Sequence, residues 1–320
     1  MSGLERPLAR NALAAIAIIA LSVAALLASV GMSALDPQAY IDYMGQNGIY
    51  AQITSALASG IITALPQDSR IAPTGDVVNR LSKYIGQGYV KGQVDLFVTG
   101  TVSYVEGSSA GFSPQISLTP VKGKISQAII ESYITTRDLQ ITDPEQQKII
   151  ALQQDAIVKL IPDTIGREQI MASKDAAGAY AIFEQSLGEA RGYAAMARVA
   201  ELVLAIIAIA AIAGIYISIG GLYGFFQFVW KPLAICAGAM FAASMLLQLA
   251  GGIAFSAIAG QYAQDPQVAQ AVSGLISHIL SQAGLSNAMF GIAMILLACI
   301  AYALGKYIFS PPEFRQSQQN

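Results

Sequence analysis

Charge is scarce in this chain, and its absence is concentrated in long blocks. Asp, Glu, Lys and Arg make up 12% of the 320 residues, about half the share in an ordinary soluble domain. None occurs at 11–35, 202–230, 232–264 or 266–305. Blocks of that length exclude a wholly soluble fold and match helices of about 20 apolar residues that cross a bilayer. Histidine occurs once, as His278, and cysteine twice, as Cys236 and Cys299. One imidazole and two thiols within apolar runs do not supply the usual ligand sets of a zinc site. With no cysteine outside those runs, a polar domain has no disulfide framework. A Ser-His-Asp triad has only His278 to draw on, and that residue lies on a helical pattern without a nucleophile-elbow sequence. No P-loop is present, and Gly86-Gln87-Gly88 lacks the third glycine and the strand-to-helix setting of a dinucleotide fingerprint. A formal net charge of −2 and the lack of basic runs leave no footprint for nucleic acid. The expectation is a non-enzymatic protein with no catalytic residue, metal or cofactor.

What remains is strongly divided. Mean hydropathy is +0.53, yet 13 of the 18 Lys and Arg residues fall between 36 and 198. The pattern predicts an α-helical integral membrane protein of four transmembrane helices, with a mainly helical external domain inserted between the first and second. The boundaries are a cytoplasmic N-terminus at 1–10, spans at 11–35, 199–222, 232–256 and 288–309, and the external domain at 36–198. A cytoplasmic turn at 223–231, an external helical loop at 257–287 and a cytoplasmic tail at 310–320 complete the division. The first span reads as an uncleaved signal-anchor, with a removed signal peptide as the alternative. Arg6 and Arg10 before it, Lys231 in the turn and Lys306 after the last span place both termini in the cytoplasm by the positive-inside rule. Tyr216, Tyr223, Phe225, Phe226, Phe228 and Trp230 crowd the turn as an interfacial aromatic belt. The location predicted is the cytoplasmic membrane of a prokaryote, with the bilayer itself as one partner.

Within 36–198 the punctuation is legible. Asp36-Pro37, Pro120 and Asp143-Pro144 are helix starts, since proline suits the first helical position. Apolar spacing through Tyr40, Ile41, Met44, Ile53 and Leu57 is helical with a break around Gly45 and Gly48. A loop is expected from Pro66 to Gly75. Residues 77–90 read as a helix, and the β-branched stretch 94–104 as its continuation. Residues 106–114 must turn, and 115–119 alternate like a short strand. The stretch 163–198 is Ala-rich and reads as a helix running into the second span, with Ile170, Tyr180, Phe183, Leu187 and Met196 toward a core. Asp265-Pro266 opens another amphipathic helix, whose apolar face of Val268, Val272, Leu275, Ile276, Ile279 and Leu280 needs a partner.

A few polar residues stand out. Glu201 is the one acid in a span, within reach of headgroups or of Arg198 three residues earlier. Gln248 lies mid-span, where it suits a hydrogen bond to another helix. Ala234, Gly238, Ala242 and Gly252 suit close helix packing and self-association, while Gly220-Gly221 and Gly251-Gly252 suit breaks of the kind found in transporters. Lys122 and Lys124 read first as a solvated helix N-terminus, with contact to anionic headgroups or an envelope polymer as the sharper alternative; His278 is a further external contact candidate. The stretch Tyr104-Val105-Glu106-Gly107, with Phe112 and Ile116 to Lys122, resembles a pattern in prokaryotic membrane proteins with one N-terminal span, a helical external domain and further C-terminal spans. The resemblance implies that topology and no activity. The functional expectation is a surface module that binds, senses or scaffolds through an unidentified protein or envelope partner. An oligomeric channel drawing on Ser244 and Gln248 is the alternative, followed by a small-solute transporter.

Overall fold

The structure is a computed structural model that describes residues 5–64, 75–113, 115–136, 144–167, 174–261 and 266–309. It is almost entirely helical and divides into two compact units, one of Met1–Ala39 with Gly192–Asn320 and the other Tyr40–Arg191. Four helices are long and apolar enough to cross a membrane, at Pro7–Ala34, Tyr180–Ile219, Leu222–Gly251 and Gln270–Ile308. That is the architecture of an α-helical multi-pass membrane protein.

The first unit is a helical bundle. It contains α1 (Glu5–Ala34), the C-terminal part of α8 (Lys174–Ile219), α9 (Leu222–Gln261), α10 (Pro266–Ala303) and a π-helical turn at Leu304–Ile308. Helices α9 and α10 pack along each other as a hairpin, and α1 lies against both. The packing face of α10 follows alternating steps of four and three residues: Ser277, Leu280, Gly284, Asn287, Gly291, Met294, Ala298 and Ala301 are all buried or half-buried. Such alternation keeps one stripe against a neighbouring helix over many turns. At Ala25, Cys236 and Met240 the three helices close on a small apolar core, with Ile18, Leu21, Phe290 and Met294 around it.

One expectation about this unit is corrected. The chain reverses at Gly220 rather than over 223–231; Gly220 has φ +70°, a left-handed conformation that glycine adopts without strain. Residues 223–231 are already helical, and Pro232 sits inside α9. The helical character expected for 257–287 is present, and most of the stretch continues the two hairpin helices. At 40 and 38 residues, α9 and α10 are about twice the roughly 20 residues needed to cross a hydrocarbon core. The amphipathic face of Val272, Leu275, Ile276, Ile279 and Leu280 is half-buried along this hairpin.

The second unit is a small domain with its own core. It comprises α2 (Pro37–Gln46) from Tyr40 on, α3 (Ile49–Ala64), α4 (Gly75–Ile85), α5 (Gln87–Glu106), α6 (Lys122–Thr136), α7 (Pro144–Leu160) and the N-terminal part of α8. A two-stranded antiparallel pair, β1 (Ile116–Ser117) with β2 (Thr164–Ile165), matches Ile116 to Ile165 and Ser117 to Thr164. The breaks expected at Gly45–48, the turn after Glu106 and the strand at 115–119 all appear. Gly48 and Gly86 hold positive φ between helices and Gly107 at the C-terminal end of α5, where a Cβ would be strained; the continuous helix expected from 77 is thus broken at Gly86. The loop expected at 66–75 falls largely outside the described residues, as does Ile170. In α4, Val77, Leu81 and Ile85 recur at four-residue intervals and enter the core, leaving Arg80 half-buried and Lys83 exposed. They meet Ala58, Ile61 and Ile62 of α3, Val90 of α5, Ile125 and Ile129 of α6 and Ile157 of α7.

Candidate functional site

The bundle holds a line of buried polar side chains. A polar group away from water is costly unless hydrogen-bonded, so each partner reveals what the group holds in place. Asn287, fully buried in α10, donates from Nδ2 to the Met240 carbonyl of α9 at 2.7 Å. In the opposite direction, Ser244 Oγ of α9 donates to the Gly284 carbonyl of α10 at 2.6 Å. The two bonds cross the hairpin within one turn of each other. Ser29 of α1, also fully buried, donates to the Ala25 carbonyl at 2.7 Å and lies 3.5 Å from Asn287 Oδ1. Ser22 Oγ approaches Cys236 Sγ at 3.5 Å. Three helices are thereby keyed to one another through side chains whose alternative in hydrocarbon would be an unpaired polar atom.

Glycine makes this approach close. A Cβ on Gly284 would stand 3.1 Å from the Ser244 carbonyl oxygen and 3.1 Å from Gln248 Cγ, and one on Gly251 would stand 3.1 Å from Ser277 Oγ. Gly251 is therefore a close-packing site within a continuous helix, in place of the transporter-like break that was the alternative there. Gln248 lies alongside Gly284 at the same crossing. Ala234, Gly238 and Ala242 are exposed on the single chain instead of lining the hairpin; the polar residues that need partners turn the Cys236, Met240 and Ser244 face inward. Asn287 was missed because it read as the last residue of a loop. Its signal was its spacing, three residues after Gly284 and four before Gly291 in an otherwise apolar run.

One end of the bundle gathers rings and cations. The Arg10 guanidinium stands 4.5 Å from the centre of the Phe228 ring, and Lys231 Nζ is 5.8 Å from Trp230. Trp230 meets Tyr302 edge to face at 5.6 Å, and Lys306 lies 5.7 Å from Tyr302 and 5.4 Å from Tyr307. Phe225 contacts Tyr216 and Phe226, and Phe226 stacks on Phe309 at 5.3 Å. The aromatic belt read from 216–230 thus includes rings supplied by the end of α10 and the turn after it.

In the inserted domain, Lys122 Nζ is 2.6 Å from Asp163 Oδ1 with only 15% of its side chain exposed. It joins the start of α6 to the loop before β2, where Leu118 N–H also donates to the Asp163 carbonyl at 2.7 Å. The bond from Lys122 holds the Asp163 carboxyl below its ordinary value. Lys124 is exposed. Tyr50 donates to Asp95 Oδ1 at 2.6 Å, and Lys91 Nζ meets Asp95 Oδ2 at 2.6 Å. Burial, then the bond to Asp95, pushes the Tyr50 hydroxyl above its ordinary value. Four rings clasp α8 to α5: Phe112 packs on Phe97, Tyr104 and Phe183, and Arg191 lies 4.8 Å from the Tyr104 ring. Glu201 is half-buried and Arg198 exposed on α8, and His278 is half-buried on α10. The structure thus does not gather the sequence-selected residues into one site. Among the described residues, no three of His, Cys, Asp and Glu are grouped as a metal site.

A pH-dependent pair lies on the domain's surface. Tyr84 donates to Glu131 Oε2 at 2.6 Å, and Gln127 Nε2 to Glu131 Oε1 at 2.9 Å. The Tyr84 bond lowers the Glu131 carboxyl from its ordinary 4.5, and the bond to Glu131 raises the Tyr84 hydroxyl from its ordinary 10.0. A depressed carboxyl stabilises the fold above its unfolded value and loses that contribution as pH falls through its folded value. A raised hydroxyl contributes fully below its unfolded value and is lost as pH rises through the folded one. The stability difference between the native chain and Tyr84→Phe is therefore expected to be level between pH 4.5 and 10.0 and to shrink on either side. Thermal melts across pH check this, and a difference unchanged down to strongly acid pH would sink it.

No protein-family model matches the chain, and no curated protein or solved structure is significantly similar to it.

Proposed function

We propose that this chain is a non-enzymatic module held at the outer face of a prokaryotic cytoplasmic membrane, where Tyr40–Arg191 binds or scaffolds an unidentified protein or envelope partner. The observation that carries the reading is the inserted domain's closed core, from Ala58 to Ile161, which shares no residue with the core of the bundle. A folded domain between two membrane-length helices is an arrangement suited to display. The positive-inside rule supports the orientation: Arg10, Lys231 and Lys306 sit at the bundle end where α1 starts, and the inserted domain follows the other end of α1. In a helix that crosses the bilayer, those two ends face opposite compartments. Ser244, on which the channel alternative drew, has its hydroxyl engaged with Gly284, which favours helix packing as its role.

Cysteine labelling tests the orientation. With Cys236 and Cys299 replaced by serine, Lys124→Cys is expected to react with a membrane-impermeant maleimide in intact cells, and Lys231→Cys only after permeabilisation. The reverse pattern would overturn the external placement. Proteoliposomes separate the functional classes: selective ion flux that is lost in Gln248→Leu would replace the display reading with the channel.

A further inference from the structure

We propose that the rim carrying Arg10, Lys231 and Lys306 is a binding site for the phosphate headgroup of an anionic phospholipid. Each cation stands at the end of a charge-free run, Arg10 before 11–35, Lys231 before 232–264 and Lys306 after 266–305. In a spanning bundle this puts Arg10 and Lys306 near the hydrocarbon boundary, where lipid phosphates lie, and Lys231, nine residues into α9, is brought to their level by the Trp230–Tyr302 contact. They belong to one surface. Trp230 and Tyr302 are in contact and connect Lys231 to Lys306. Phe228, beneath the Arg10 guanidinium, is one helical turn from Lys231 on the same face.

A second observation points to an anion. Arg10 Nε is buried and has no hydrogen-bond partner among the described residues, leaving a donor for which those residues supply no acceptor. A guanidinium fork suits two phosphate oxygens, and the lysines add point charges that need no fixed geometry. The flanking surface is suited to the rest of a lipid: Leu8, Ile235 and Ile300 are 70%, 61% and 55% exposed, an apolar surface for acyl chains. A free phosphate would satisfy the cations without using that surface. The proposal rests on the bundle being embedded in a membrane and is independent of which face the rim occupies.

Native mass spectrometry of the full chain in detergent, titrated with phosphatidylglycerol or phosphatidylcholine, tests it. Phosphatidylglycerol is expected to bind preferentially. Each of Arg10→Gln, Lys231→Gln and Lys306→Gln should weaken that preference about five-fold, and the triple variant on the order of a hundred-fold. The charge-conserving triple Arg10→Lys, Lys231→Arg, Lys306→Arg should keep most of it, which separates loss of charge from misfolding. Lys122→Gln with Lys124→Gln should leave it unchanged. Equal binding of the two lipids, or full retention of phosphatidylglycerol by the triple glutamine variant, overturns the proposal. Displacement of the lipid by millimolar inorganic phosphate overturns it as well, in favour of a free-anion site.

Discussion

Gly284→Leu is expected to force the α9–α10 hairpin apart. Even a methyl group at this position would stand 3.1 Å from the Ser244 carbonyl oxygen, an atom fixed in the backbone of α9. A leucine therefore has no room unless the helices separate, and separation breaks both crossing bonds, Ser244 to Gly284 and Asn287 to Met240. Overpacking of this kind costs about 1–3 kcal/mol, and the lost interhelical bonds add about 0.6 kcal/mol each. The chain carries its own reporter. Cys236 is fully buried beside Ser22 and Met240, whereas Cys299 is exposed. With Cys299 replaced by serine, maleimide labelling of Cys236 in detergent should be slow in the parent and at least about ten-fold faster in Gly284→Leu, the factor for about 1.4 kcal/mol of easier opening. Gly284→Ala should fall between. An unchanged labelling rate would mean that the crossing yields without opening, and the seam would lose its claim to hold the bundle together.

Ile125→Ala is expected to produce the corresponding damage in the inserted domain alone. Ile125 is fully buried among residues of the domain core, and removing most of such a side chain costs about 2–5 kcal/mol because the cavity collapses only in part. That is a large fraction of the stability of a small domain. Hydrogen exchange on the full chain should show α4, α6 and α7 losing protection together. Since the two cores share no residue, Cys236 labelling should remain slow in this variant. Protection unchanged in α4 and α6 would show that Ile125 does not anchor this core. The two substitutions thus report on separate parts of the chain through separate signals.

How much of this was legible beforehand differs by feature, for a physical reason. Membrane-length helices announce themselves in the absence of charge over 11–35, 202–230, 232–264 and 266–305, because a charged group in hydrocarbon is expensive wherever its helix packs. Helix starts at Pro37 and Pro144, the breaks at Gly48 and Gly107, and the strand at Ile116 depend on the backbone preferences of one or two residues. Those are local, and they were readable. Helix was likewise readable over 77–90, although its break at Gly86 was not.

The packing choices depend on surfaces far apart in the chain. Apolar residues surround Asn287 on both sides, so nothing local shows that its amide meets the Met240 carbonyl 47 positions away. For the same reason Ala234, Gly238 and Ala242 resembled a packing face, until the need of Ser244 for a partner set the rotation of α9. Lys122 looked like a free surface charge because Asp163, its partner, lies across the β1–β2 junction. Arg10, Lys231 and Lys306 were visible as orientation signals, but their assembly on one rim came from helix ends meeting through Trp230 and Tyr302. Hydrophobic runs, caps and turns follow from neighbours in the chain; buried polar partners and charge clusters arise only when distant faces compete for the same interior.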